Sequence, residues 1–208
     1  MVAVDASGKP IAVDFREKAP ASAHKDMYLD SAGNVHPTLP LLGASASGVP
    51  GSVAGLIDIL QNYGSMTLQE ILEPIIALAD TGFLLPDYLA QSLASQNEVF
   101  NRFPSSKAVF TNDGEPKQAG ERLIQKDLAT TLRSIAALGT DGFYRGKVAD
   151  LIVAQMKVSG GFISYQDLAD YKVMEREAIS TAYRGHDIIS MPPPSSGGVA
   201  LFEMLSIL

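Results

Sequence analysis

Arg16 is the first residue in the chain whose type and place could do chemistry. It closes the run Ile11-Ala12-Val13-Asp14-Phe15-Arg16, in which Ile11, Val13 and Phe15 alternate with Ala12, Asp14 and Arg16. A period of two sends alternate side chains to opposite faces of a strand, so the guanidinium faces away from the apolar side or sits at the sheet edge. Its planar fork of donors can grip a carboxylate with two parallel charge-assisted hydrogen bonds. The plainer alternative is a strand-end arginine paired with Asp14 or Glu17, or left in solvent, where ion pairs are common and weak.

A second candidate is Met191-Pro192-Pro193-Pro194-Ser195-Ser196-Gly197-Gly198. The prolines stiffen the chain, and the glycines allow close backbone approach where a helix begins. Free N–H groups at such a start can hold an anion, although a rigid turn into the last helix explains the same residues. The Gly48–Gly55 stretch suggests a phosphate loop but lacks its Gly-Lys-Ser/Thr ending, so a tight turn into a helix is the better reading. Glu175-Arg176-Glu177 would set two carboxylates on one strand face, where a solvated charged face is the simpler account. His24, His36 and His186 lie far apart without metal spacing. No serine stands in a Gly-x-Ser-x-Gly elbow, and with no cysteine, thiol chemistry, disulfides and Cys-ligated zinc are excluded. Taken alone, these residues make no complete catalytic set.

The elements that must position these residues can be read from periodicity and punctuation. Residues 2–5 and 11–16 read as a β-hairpin around Ser7-Gly8-Lys9-Pro10. Residues 17–49 show little periodicity and form a long packed or functional loop. Pro50 opens a helix with Val53, Leu56, Ile57 and Leu60 on one face, stopped by Gly64. Thr67 and Glu70 form a capping box before the stripe Leu68, Ile71, Leu72, Ile75 and Leu78, in a helix that Pro74 should bend. Helices follow near 86–99, 126–138 and 146–158, and Ser164 with Asp167 caps a shorter one. Residues 172–191 return to strand, turning at Tyr183-Arg184-Gly185-His186. Val199, Phe202, Met204, Leu205 and Leu208 then start an amphipathic helix with no terminator, so the chain is expected to be a piece of a longer protein. The fold class expected is α+β, predominantly helical with short strands: strands over 2–16, helices over 50–170, strands over 172–191 and the start of a truncated helix at 198–208.

The composition is that of a chain able to bury a core, with 46% hydrophobic and 19% charged residues. A formal net charge of -7 with scattered basic residues argues against nucleic acid as a partner. No apolar run reaches the roughly 18 to 20 residues that span a bilayer, and the first residues have no signal-peptide pattern.

Several stretches, in order, resemble gamma-glutamyltranspeptidases. They are Asp14-Phe15-Arg16-Glu17-Lys18-Ala19-Pro20, Asp26-Met27-Tyr28-Leu29-Asp30, Ser47 through Gly55, Gly160-Gly161-Phe162-Ile163-Ser164 with Asp167 through Tyr171, Tyr183-Arg184-Gly185, and Met191 through Gly198. The resemblance covers nearly the whole chain. It implies an αββα sandwich of the N-terminal-nucleophile hydrolases, incomplete here, made by a precursor that cuts itself into large and small subunits. This chain would be a large-subunit portion. The first residue of the small subunit, a threonine expected beyond Leu208, would attack the gamma-glutamyl amide of glutathione with its own amine as base and pass the acyl group to water or an amino acid or peptide acceptor. Arg16 matches the family's arginine that holds the glutamyl α-carboxylate.

The resemblance further implies no cofactor or metal, no catalytic residue within the chain, and inactivity of the chain by itself. Its expected partners are glutathione or other gamma-glutamyl compounds, the small subunit of the same precursor and, through unpaired edges, another copy of itself. A periplasmic or secreted location is implied too. A cephalosporin (glutaryl) acylase-like amidase of the same superfamily, or a non-catalytic binding module on the same scaffold, are the alternative readings.

Overall fold

Asp5 sets the first turn. Its carboxylate accepts the backbone N–H groups of Ser7 and Lys9, both at 2.9 Å, and this local competition with the strand ladder reverses the chain. The computed structural model describes residues 1–208. In chain order it has β1 (Val2–Val4), β2 (Pro10–Asp14), a 3-10 turn (Ala44–Ala46), α1 (Ser52–Tyr63), α2 (Leu68–Thr81), β3 (Phe83–Leu84) and α3 (Asp87–Ser95). Next come α4 (Asn97–Asn101), α5 (Pro104–Phe110), β4 (Thr111–Asn112), β5 (Glu115–Pro116), β6 (Arg122–Leu123), α6 (Lys126–Leu138) and α7 (Asp141–Tyr144). The last elements are α8 (Gly146–Ser159), α9 (Tyr165–Ala169), β7 (Met174–Arg176), β8 (Ile179–Tyr183), β9 (His186–Ser190) and α10 (Gly197–Ile207). The fold is α+β, with every strand pairing antiparallel.

The chain forms two compact units, Met1–Ser65 with Phe143–Leu208, and Met66–Gly142. In the first, β2 is the middle strand of a sheet ordered β1-β2-β7. Both Ala12 and Val13 are buried, so this strand has no polar face of the kind its alternation suggested. It pairs with β1 on one edge and, on the other, with β7 from the far end of the sequence. The strand also stops at Asp14 rather than running to Arg16. Asp14 bends the chain out of the ladder by accepting the Arg16 N–H on its own carboxylate at 3.1 Å.

The core of this unit joins Val49, Ala54, Tyr144, Ala149, Val153, Ile163 and Leu168. Helix α1 begins at Ser52 behind Gly51, so Pro50 precedes it instead of occupying its first turn. Of the expected stripe, Ile57 is buried but Leu56 is exposed; Ala54 packs into the core and Gly55 lies against Phe15, where the approach is closest. Residues 17–49 are tied down by a Lys18↔Val49 bridge, a Leu29↔Val35 bridge and Tyr28, whose hydroxyl donates to the Ser45 carbonyl at 2.9 Å. The Ser164–Asp167 capping box is present, and the same Asp167 carboxylate accepts the Ala21 N–H at 2.7 Å, fastening the long loop to α9. Strands β8 and β9 meet at a two-residue turn in which Arg184 and Gly185 both have positive φ, the conformation a tight hairpin needs.

The second unit packs α2 against α6, with Asp80 of α2 receiving Lys126 and Arg133 of α6. The Thr67–Glu70 box caps α2, and Pro74 lies inside it. Ile75 and Leu78 are exposed, whereas Ala79 is buried. The single helix expected over 86–99 is two, parted at Gln96. Asn97 and Asn101 both donate side-chain N–H groups to the Gly114 carbonyl, at 2.9 and 2.8 Å, which ties the second piece to the β4–β5 turn.

Gly55 offers a direct check of the α1 packing. A Cβ there would lie 2.1 Å from Cγ of Phe15. Overpacking costs about 1–3 kcal/mol, while alanine gains at most about 1 kcal/mol in helix propensity. Gly55→Ala is therefore expected to lower the urea midpoint; an unchanged or raised midpoint would refute the contact.

Candidate functional site

The chain leaves β2 at Asp14 and crosses the start of α1, and there Arg16 reaches the wall of a cleft of about 520 Å³. Its lining comes from Met1, from Val13 to Glu17, from Gly48 with Pro50 to Ser52, and from Met191 with Pro194 and Ser195. Glycine explains why α1 can come so close. A Cβ on Gly51 would stand 2.1 Å from the Phe15 carbonyl oxygen and 2.0 Å from the Tyr171 hydroxyl. The Gly48–Gly55 stretch is thus a packing device at a helix start, as its sequence suggested against a phosphate loop. The N-terminal end of α1, where the helix dipole is positive, borders the same cleft as the guanidinium.

Arg16 has one side-chain partner, Glu17, at 3.4 Å, and both side chains are 61% exposed. A single long contact in solvent holds a guanidinium weakly, so most of its donors face the cleft or water. Its main chain is held firmly instead. Asp14 Oδ1 accepts the Arg16 N–H, and the Tyr171 hydroxyl donates to the Arg16 carbonyl at 2.8 Å. Asp14 is in turn fixed by Arg176 of β7, whose Nε donates to Oδ2 at 2.7 Å. Burial is the largest single influence on the Asp14 carboxyl and pushes its pKa up. The Arg16 N–H, the Arg176 hydrogen bond and charge, and the Lys18 charge together outweigh it, and the group ends below its usual value.

Tyr171 follows α9 and stacks on Tyr144, the ring centroids 5.7 Å apart and the planes 9° from parallel. Tyr144 donates to the Pro50 carbonyl at 2.7 Å and accepts the Ala54 N–H at 3.3 Å, so the pair joins the start of α1 to the segment after β2. Burial, then the neighbouring Tyr144, Asp14 and Glu17, pushes the Tyr171 pKa up to about 12.

The other sequence candidates separate. Met191, Pro194 and Ser195 line the cleft, while Gly198 lets α10 pack against β8 and β9: a Cβ would lie 2.5 Å from the Met191 carbonyl oxygen. Glu175 and Glu177 do not share a strand face, because β7 ends at Arg176; Glu175 instead accepts the Tyr63 hydroxyl at 3.0 Å. His36 accepts backbone N–H groups of its own loop. Asp14 and Tyr171 escaped the search for chemistry, although both lie within the motifs that carried the resemblance.

Comparison with known proteins decides the family. The family model described as Gamma-glutamyltranspeptidase matches residues 1–208. The chain belongs to the gamma-glutamyltranspeptidase family. It is 48% identical over 204 residues to the glutathione hydrolase proenzyme of Pseudomonas sp. (strain A14), covering 98% of this chain and 36% of that protein. It is 38% identical over 209 residues to the acylase ACY 1 proenzyme of Pseudomonas sp. (strain SE83), covering 98% of this chain and 38% of that protein. Its fold matches the crystal structure of Helicobacter pylori gamma-glutamyltranspeptidase with a TM-score of 0.96 at 45% identity, covering 99% of this chain and 59% of that one. The chain thus spans about a third of the length of these curated relatives. As a gamma-glutamyltranspeptidase family member, it places three of the motifs that mark the resemblance around one cleft.

The Asp14 carboxyl gives a pH-dependent check on this site. Its folded pKa lies below the ordinary value of 3.8, so its stabilising contribution is present above that value and is lost as pH falls through the lower folded pKa. Between about pH 5 and pH 2 the native chain should lose more stability than Asp14→Asn, measured by chemical denaturation at each pH. Parallel curves would remove Asp14 from the acid response.

Proposed function

We propose that the complete protein is a gamma-glutamyltransferase and glutathione hydrolase, and that Arg16 binds the α-carboxylate of its gamma-glutamyl substrate. The observation that carries this reading is the exposed Arg16 fork, weakly paired and set in a cleft walled by three motifs of a chain in this family. A carboxylate entering the cleft could take two charge-assisted hydrogen bonds in exchange for the single Glu17 contact. The positive end of α1 favours the same sign of ligand.

The rest of the machinery is proposed on the family resemblance. A threonine beyond Leu208, first residue of a small subunit cut from the same precursor, attacks the gamma-glutamyl amide carbon while its own amine takes the hydroxyl proton. The amine leaving group departs protonated, and water or an amino acid then releases the acyl group. The two subunits complete an αββα sandwich. The chain alone is inactive and pairs with a second copy through its open edges, and the complete protein works in the periplasm or outside the cell. No helix is long and apolar enough to cross a membrane. A glutaryl-type acylase is the second reading, because the acylase ACY 1 proenzyme shares 38% identity and Arg16 would suit a side-chain carboxylate equally.

Arg16 variants of the complete protein test the assignment. Losing one partner of a buried charge pair costs about 2–5 kcal/mol, so Arg16→Ala should cut kcat/KM for a gamma-glutamyl anilide by about 30-fold or more. Arg16→Lys keeps the charge without the fork and should lose less. Precursor cleavage should persist in both. Near-normal kcat/KM in Arg16→Ala would return Arg16 to a surface ion pair, and faster turnover of glutaryl than of gamma-glutamyl amides would favour the acylase.

A further inference from the structure

We propose that Tyr171 is a positioning residue for Arg16: its hydroxyl fixes the Arg16 main chain and thereby aims the guanidinium at the substrate carboxylate. This rests on the reading of Arg16 given above.

The geometry is unusual in what it holds and what it leaves loose. Beyond Cα the Arg16 side chain touches one partner, at 3.4 Å, and is largely exposed. A side chain so poorly packed can be aimed only through its own main chain. That main chain is gripped at two points and closely packed at a third. Asp14 takes the Arg16 N–H, Gly51 leaves room for the Phe15 carbonyl, and Tyr171 holds the Arg16 carbonyl. Without the Tyr171 contact the Arg16 Cα is held from its amino side alone, and a small tilt there is a large sweep at the guanidinium.

Tyr171 is itself rigid. Its ring lies flat on Tyr144, and the Lys18 ammonium stands over it 4.9 Å from the centroid. The absence of a side chain at Gly51 is what admits the hydroxyl to this carbonyl. A pKa of about 12 keeps the proton on the oxygen, so it remains a donor across the working range of an enzyme. Packing alone would need the ring and not the hydroxyl, and that difference makes the role testable.

The complete, processed protein and the variants that follow should be assayed with a gamma-glutamyl anilide. Loss of a neutral hydrogen bond that only orients another group should raise KM about 5- to 10-fold in Tyr171→Phe, with kcat within about 2-fold. Tyr165→Phe removes a comparable hydroxyl contact, to Asp150 at 2.6 Å on the outer side of α9, and should leave KM unchanged. In an Arg16→Lys background the Tyr171→Phe effect should shrink, because an ammonium has no fork to misalign. Introducing 3,5-difluorotyrosine at position 171 keeps ring and hydroxyl but ionises at lower pH, so KM should climb as pH rises. An unchanged KM in Tyr171→Phe, full additivity with Arg16→Lys, or a pH-flat KM in the fluorinated protein would each overturn the positioning role while Arg16→Ala still raises KM. An Arg16→Ala protein with unchanged KM would instead sink the substrate-contact reading and this proposal with it.

Discussion

The site depends on one close approach. Helix α1 is pressed so tightly against the chain leaving β2 that no Cβ fits at Gly51 or Gly55. Everything else at the cleft follows from that contact. Phe15 fills the space over Gly55, its carbonyl fits over Gly51, and the next residue, Arg16, is carried past the start of the helix. Two tyrosines then lock the arrangement, Tyr144 on the α1 side and Tyr171 on the Arg16 side, with their rings stacked between. Dispersion across the rings and hydrogen bonds at their ends act on different neighbours, so the pair resists both sliding and separation.

The sheet supplies the second anchor. Strand β2 is central, and its end is tied to β7 by the Arg176–Asp14 pair. The Asp14 side chain is only 11% exposed. Removing one partner of an ion pair so shielded from solvent would strand a buried charge. Asp14 therefore serves three ends at once: it terminates a strand, joins a third strand to the second, and holds the main chain of Arg16.

Local features were legible in the sequence, and convergent ones were not. The Thr67–Glu70 and Ser164–Asp167 caps, the Arg184-Gly185 turn and helix α6 all rest on residues within one or two turns of each other, so spacing alone reveals them. The break at Gln96 depends on Gly114, a turn that periodicity in 86–99 cannot see. The alternation in 11–16 pointed to one buried face, whereas Ala12 and Val13 are both buried in a strand flanked by β1 and by Met174–Arg176 from the opposite end of the chain. Arg16 was singled out through its motif rather than its spacing, and its place in the cleft wall needed the tertiary structure. The roles of Asp14 and Tyr171 required the tertiary contacts, since an aspartate two residues before an arginine and a tyrosine after a short helix are ordinary in any sequence.

The Arg16–Glu17 contact has a consequence for selectivity. One guanidinium donor, Nε, leans on Glu17 across 3.4 Å, so an anion entering the cleft meets a cation partly shared with the carboxylate next door. What such a ligand gains is a difference between two partners. Ligands with a single acceptor oxygen or a spherical charge would win little over Glu17, whereas a planar group with two oxygens at the right spacing exchanges one long contact for two short ones. On the proposed role of Arg16, the neighbouring glutamate would weigh against anions of the wrong shape without any part of the fold having to move.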